Sequence, residues 1–277
     1  MGVFTMSQDT DVPSAQGFAK SLKLDCTTAD ASPAINDYLI FIQKFEGQNL
    51  QYIKKGTASA ESLTLSFWVK SNKTGTYIAE LRDNDNTRHI TKSYTIDASN
   101  TWEKKTLTFA GDTSGALDND NAASLNVQFW LGAGNTYSSG TLQTSWGSIT
   151  NANRAVGQVN LADSTANEWY ITGVQLEVGT TASDFEFLPY DVNLRRCERY
   201  TRRLGDGLWG KAASTTAMTI QCPFFSPMRA TPSISAIASA IKTSDVISAD
   251  YTSSAGISGA NINQNGARLN CSSFSGL

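Results

Sequence analysis

The chain has 277 residues, 40% of them hydrophobic and only 17% charged, with a formal net charge of -3 at neutral pH. That length and apolar fraction suffice for one large β-domain or two smaller ones held by burial alone. So weak a charge balance gives no field that would draw the chain to nucleic acid, no apolar run approaches the roughly 20 residues a helix needs to cross a bilayer, and the N-terminus lacks a basic-then-apolar export pattern.

Residues 1–16 read as an N-terminal arm, and strand signals dominate from about Gly17 onward. Candidate strands cover residues 18–26, 38–43 and 50–53. Leu63, Leu65, Phe67 and Val69 then alternate with Thr64, Ser66, Trp68 and Lys70, the period of two expected when one face of a sheet is buried. Further candidates follow at 76–82, 89–96 and 105–109. The alternation returns at Leu125, Val127, Phe129 and Leu131, and again at Tyr170, Thr172, Val174, Leu176 and Val178. About nine strands divided by Gly/Asn/Asp/Ser turns, without a long helix, point to an all-β antiparallel sandwich.

Two connections stand out. Residues 132–157 form a long loop rich in Gly, Ser, Thr and Asn, and such a loop is either functional or mobile. The tetrapeptide Asp-Asn-Asp-Asn occurs at 83–86 and again at 118–121. Turn chemistry accounts for both copies, because these side chains bond their own backbone. A structural Ca2+ is the alternative they leave open, although neither copy has the Gly and distal Glu of an EF-hand loop.

Pro189 ends the sandwich, and residues 191–204 read as a basic connector helix with Asp191 as N-cap and Gly205 as its stop. Arg195, Arg196, Arg199, Arg202 and Arg203 crowd it. A narrower, partly apolar stripe carries Leu194, Cys197, Thr201 and Leu204, with Tyr200 nearby. A helix this short is unstable alone, so it must dock on its own domains or on copies of itself. Five Arg on one helix without a basic domain around it favour ion pairs between domains or subunits over nucleic acid.

Residues 205–277 shift to Ser, Thr, Ala and Gly, with short strand candidates at 217–223, 233–238 and 267–274. So lean a segment sits near the lower limit for independent folding, and assembly into a homo-oligomer, a trimer in the first instance, removes the difficulty.

Catalytic patterns are scarce. His89 is the one histidine, so Ser-His-Asp and Cys-His arrangements rest on a single candidate, best read as a sheet-packing residue. Cys26, Cys197, Cys222 and Cys271 are too scattered for a zinc site and read as reduced thiols. Neither a phosphate-binding nor a dinucleotide fingerprint occurs. A glycosidase needs only two carboxylates and survives as a distant alternative, but no motif marks a pair. We therefore expect no enzyme activity and no organic cofactor.

Pleat parity supplies the sharper candidate. If Leu63, Leu65 and Phe67 face the core, Trp68 faces away. The same argument turns Asn126, Gln128 and Trp130 outward from Val127 and Phe129, and Trp169, Gln175 and Glu177 outward from Val174 and Leu176. Glu80 and Arg82 join them if Tyr77, Ala79 and Leu81 point inward. Indoles beside amide, carboxylate and guanidinium groups are what a sugar site uses, rings stacking on rings and planar polar groups reading hydroxyls. An equal alternative is that these Trp pack beneath loops, the basic helix or a neighbouring subunit. Tyr137 and Trp146 lie in the long loop, within reach of a ligand there, whereas Trp102 reads as a structural residue at a strand start.

The run ITGVQLEVG, the F-x-F-x-P-Y corner at 185–190 and C-E-R-Y at 197–200 resemble a recurrent pattern in structural proteins of tailed-bacteriophage virions. EGQNLQYIKKG, SLTLSFWVKS and NTWEKKTLTFAGDT resemble the same family, so the likeness covers roughly residues 10–204. It implies a jelly-roll domain similar to carbohydrate-binding modules over 17–190, joined by the connector to a small β-rich domain over 205–277. It further implies a fibre, spike or decoration protein assembled in the host cytoplasm, with other virion proteins and host surface glycans as partners.

Overall fold

A computed structural model describes residues 1–202 continuously and, beyond them, residues 210–214, 217–224, 226–233, 241–244, 250–253, 257–263 and 265–272. The chain divides into two compact units, Met1–Glu186 and Phe187–Leu277. Most of the regular structure among the described residues is antiparallel strand, so the all-β class stands.

In the first unit β1 (Val3–Asp9), β2 (Ser21–Thr28), β3 (Tyr38–Glu46), β4 (Leu63–Ser71), β5 (Gly75–Asp83) and β6 (Arg88–Ile96) are followed by β7 (Glu103–Phe109), β8 (Ala123–Ala133), β9 (Gly147–Ser148) and β10 (Glu168–Val178). They make two five-stranded sheets, one in the order β1-β2-β10-β4-β7 and the other β3-β8-β5-β6-β9. This is a jelly-roll sandwich. Its core lies between the sheets, where Leu65, Phe67 and Val69 of β4 meet Tyr77, Ala79 and Leu81 of β5 and Leu125, Val127, Phe129 and Leu131 of β8. Each such side chain fully buried stabilises the fold by about 1.5–3 kcal/mol before entropy is counted, so alternation is enforced wherever one face meets this layer.

Three expectations change. Val3–Asp9, within the stretch read as an arm, pairs along β2 as an edge strand. Residues 50–53 are not a strand but part of two short 3-10 turns, Gly47–Asn49 and Gln51–Ile53. Leu50 and Ile53 are buried together because a spacing of three places them on one side of a helical turn. The third change lies in β10. Trp169 pairs with Ser71 and Ile171 with Val69, but the register then shifts, so that Leu176 pairs with Leu65 and Val178 with Leu63. Gly173, at φ +59°, sits at this bulge, where a glycine adopts at little cost the left-handed backbone that one form of bulge uses. The bulge reverses parity: Trp169 and Ile171 face the core before it, and Leu176 does so after it.

In the second unit α2 (Tyr190–Glu198) begins one residue before Asp191, with Pro189 in the N-cap position. Asp191 stands in the first turn, where its charge still meets the positive end of the helix dipole. None of the helix's residues is buried in the single chain. The helix is shorter than the predicted 191–204; Cys197 accepts the amides of both Tyr200 and Thr201 in a closing turn, and Leu204 lies outside the described residues. Strands β11 (Gly210–Ser214), β12 (Ala217–Pro223), β13 (Ile241–Ser244), β14 (Asp250–Ser253), β15 (Ile257–Asn263) and β16 (Gly266–Ser272) follow. The predicted strand at 217–223 is β12 and that at 267–274 overlaps β16, whereas 234–238 lies outside the described residues.

Candidate functional site

Since Leu81 and Val127 point into the sandwich, their neighbours on β5 and β8 cover the opposite face of the second sheet. Register sets who meets whom there. Glu80 stands between Gln128 and Thr91, Arg82 between Asn126 and His89, and Ile78 beside Trp130.

The long loop lies across part of this face and has structure of its own: α1 (Asn135–Ser138), the short β9 and a 3-10 turn at Asn151–Asn153. Its Arg154 is the anchor. Arg154 donates from Nε to Glu80 Oε1 at 3.0 Å, from one terminal nitrogen to Glu80 Oε2 at 3.1 Å, and from that same nitrogen to Gln128 Oε1 at 3.0 Å. Trp130 Nε1 donates to Glu80 Oε2 at 2.7 Å, and His89 Nδ1 lies 3.0 Å from Oε1. The guanidinium also stands 4.9 Å over the Trp130 ring and 5.9 Å from that of Tyr137. Burial alone would push the Glu80 carboxyl up; the hydrogen bond from His89 and the ion pair with Arg154 outweigh it and hold the group below its ordinary value. Glu80 is therefore an ionised acceptor, which places the bonding proton on His89 Nδ1.

One row along, the chemistry is incomplete. Asn126 and His89 are buried and Arg82, between them, is half-buried. Asn126 Nδ2 donates to Asn84 Oδ1 at 3.2 Å. Asn126 Oδ1, Arg82 Nε and His89 Nε2 are all enclosed, yet no protein group hydrogen-bonds any of them. Leaving a buried polar atom unmatched costs about 1–3 kcal/mol. Three side by side therefore call for a polar partner from outside the chain, water in the free protein or a ligand's hydroxyls.

The eight residues predicted to share a sugar-binding surface do not lie together. Trp130, Asn126, Gln128 and Arg82 occupy the outer face of the second sheet as parity requires, but Trp130 is fully buried beneath the loop. Trp68 is half-buried on the outer face of the other sheet, between Thr172 and Lys104. Gln175 and Glu177 share that face and hold the exit segment: Glu177 accepts from Ser183 N and Oγ, and Gln175 accepts from Glu186 N. Trp169 is a core residue, packed 5.9 Å from the Phe129 ring and 6.1 Å from Phe41. The Gly173 bulge sets Trp169 on the opposite face from Gln175 and Glu177, against strict alternation.

Alternation did not reveal Arg154, because a loop residue has no period, nor that His89 belongs to the polar row. Its position opposite Arg82, with Ile90 and Tyr94 pointing inward, was the available signal.

A second buried ionic cluster closes the hairpin end. Lys55 Nζ lies 2.5 Å from Asp83 Oδ2 and 3.0 Å from Asp112 Oδ2, and donates to the carbonyls of Ser114 and Gly115 at 3.0 and 2.7 Å. Arg88 grips Asp112 through both carboxylate oxygens. Burial would raise the Asp112 carboxyl, but Arg88 and Lys55 hold it below its ordinary value. The two Asp-Asn-Asp-Asn turns come together here, Asp118 N donating to Asp85 Oδ2 at 3.0 Å. Among the described residues no group of three or more His, Cys, Asp and Glu is arranged to hold a metal.

No family model matches the sequence, and no curated protein does so. Solved structures do. The enzymatically active domain of tailspike protein 4 from bacteriophage CBA120 is similar to this chain at 17% identity and a TM-score of 0.35, over 64% of this chain and 18% of that one. A CBM4 carbohydrate-binding module shows 12% identity and a TM-score of 0.34, over 64% and 79% of the two chains. A protein of Bacteroides thetaiotaomicron assigned as sugar-binding shows 12% identity and a TM-score of 0.33, over 64% and 83%. The chain thus spans less than a fifth of the tailspike chain it matches.

Proposed function

We propose that this chain is a structural component of a phage virion, of the fibre, spike or decoration type, whose sandwich attaches the particle to host surface glycans by binding and not by catalysis. The observation that carries the binding part is the row Asn126, Arg82 and His89, whose enclosed Oδ1, Nε and Nε2 atoms have no partner in the chain. Amide, guanidinium and imidazole groups are the planar hydrogen-bonding groups that read sugar hydroxyls. The virion part is supported by the sequence resemblance over residues 10–204.

Oligomerisation belongs to the same reading. A nine-residue helix is far below the length that is stable in isolation. Leu194 and Cys197 of α2, and Tyr200 just beyond it, are exposed in the single chain and are offered as contact positions in a homotrimer. Several copies acting together would raise avidity without new contacts. The test is a polysaccharide pull-down with the intact protein beside a mass measurement in solution. We expect retention on host surface fractions, loss of retention in Asn126→Ala with an unchanged melting temperature, and a trimeric mass. Failure to bind any host surface fraction would remove the adhesion part, and a stable monomer would remove the trimer.

A purely architectural role is the second reading, with Trp68, the indole left half-buried on an outer face, as a subunit contact. Trp68→Ala separates the two, since that reading requires lost assembly and the first requires assembly to persist.

A further inference from the structure

We propose that the row formed by Asn126, Arg82 and His89 selects acid-bearing glycans, with the half-buried guanidinium of Arg82 taking the sugar carboxylate. This rests on the sandwich being a glycan-binding domain.

The carboxylates around Arg82 are already matched to other cations. Glu80, the carboxylate nearest in sequence to Arg82 on this face, is already committed to Arg154, Trp130 and His89. Asp83 is committed to Lys55, and Asp112 to Lys55 and Arg88. Arg82 has no carboxylate or carbonyl partner among the described residues. Across the sheet the same row continues to Lys44 of β3, an exposed residue opposite Asn126, so the open side of the row carries a second positive charge. A guanidinium is a fork of fixed donors suited to a carboxylate, and this one is half-buried where Asn126 and His89 beside it are buried.

Its neighbours do not compete for that charge. His89 Nδ1 is taken up by Glu80 Oε1 at 3.0 Å. Asn126 donates from Nδ2 to Asn84, and its Oδ1 is enclosed without a partner in the chain. Lys44, Asn126, Arg82 and His89 follow one another on adjacent strands, spaced by about 4.8 Å. A hexuronate or another sugar acid supplies the carboxylate that the guanidinium lacks. A neutral sugar leaves the guanidinium without a counter-charge.

The test uses the full-length protein and a panel of acid-bearing bacterial capsular and lipopolysaccharide polysaccharides, each presented intact and after chemical reduction of its carboxyl groups to alcohols. The expected result is binding to intact polymers that weakens at least tenfold on carboxyl reduction, weakens with added salt, and falls by roughly 10- to 100-fold in Arg82→Gln, the range of one charge-assisted hydrogen bond. The melting temperature of Arg82→Gln verifies that it folds. Binding that survives carboxyl reduction, or that Arg82→Gln retains in full, overturns the proposal while leaving glycan binding in place. Binding to neither form would instead count against the glycan-binding reading itself.

Discussion

Glu80 on β5 and Arg154 in the long loop are joined by a buried two-point ion pair, 74 residues apart in sequence, that fastens the loop to the outer face of the second sheet. Breaking a buried pair by removing one partner costs about 3–5 kcal/mol, because the other charge is left uncompensated. Arg154→Ala should destabilise the protein by that amount and expose the loop to chymotrypsin at Tyr137 and Trp146. A melting curve and a digestion time course check this. Unchanged protection would mean that other bonds, such as those from Thr91 N and from its hydroxyl Oγ1 to Gln143 O, hold the loop unaided.

Acid should act through the same group. The folded-state pKa of Glu80 lies below its ordinary value of 4.5, so its contribution is fully present above about that pH and is lost as the pH falls through the lower folded value. Asp112 behaves likewise, from an ordinary 3.8. The stability gap between the native protein and Glu80→Gln should therefore be widest at neutral pH and shrink below pH 4.5. Urea unfolding at several pH values measures it, and a gap that stays constant into acid would refute the assignment.

Lys55 should behave as a built-in cation. Its ammonium stands among two carboxylates and two carbonyl oxygens, and its removal in Lys55→Ala leaves Asp83 and Asp112 buried with Arg88 as the remaining cation against Asp112. We expect a loss of about 3–5 kcal/mol, partly restored by millimolar Ca2+, since oxygen-rich cages of this kind suit that ion. Thermal melts with and without Ca2+ decide the matter. Equal insensitivity of both proteins would show that the cage is too tight for a divalent ion.

The indoles should separate by environment. Trp169→Ala empties a core site and should cost about 3–5 kcal/mol. Trp68→Ala removes a half-buried ring and should cost clearly less. Chemical denaturation of the two variants is sufficient, and comparable losses would place Trp68 in a packed role that its exposure does not suggest.

Most of the sandwich was legible because the two-residue period is imposed by burial. The alternations of β4 and β8 agree with the core they form, and the inward set of β5 followed from the same rule. What escaped were features without a period. The bulge at Gly173 is one residue long and looks like any glycine in a strand. Leu50 and Ile53 are apolar positions whose spacing suits a 3-10 turn better than a strand. The site was half legible: Arg82, Asn126 and Gln128 fell on the expected face, but the burial of Trp130 depends on Arg154, and no local pattern announces which face a 26-residue loop will cover.

The Gly173 bulge makes β10 two half-strands facing opposite ways, so a single strand supplies Trp169 to the interior and Gln175 with Glu177 to the clasp on the exit segment. Removing one residue from the 173–174 pair would restore an uninterrupted zigzag, and one half would have to turn inside out. Such a deletion should yield insoluble chain on expression, although Val174 is exposed and Gly173 has no side chain to lose; a soluble, cooperatively melting product would contradict this. The constraint at this spot is on how many residues there are as well as on Gly173 itself, whose left-handed backbone and close approach to Phe18 leave no room for a side chain.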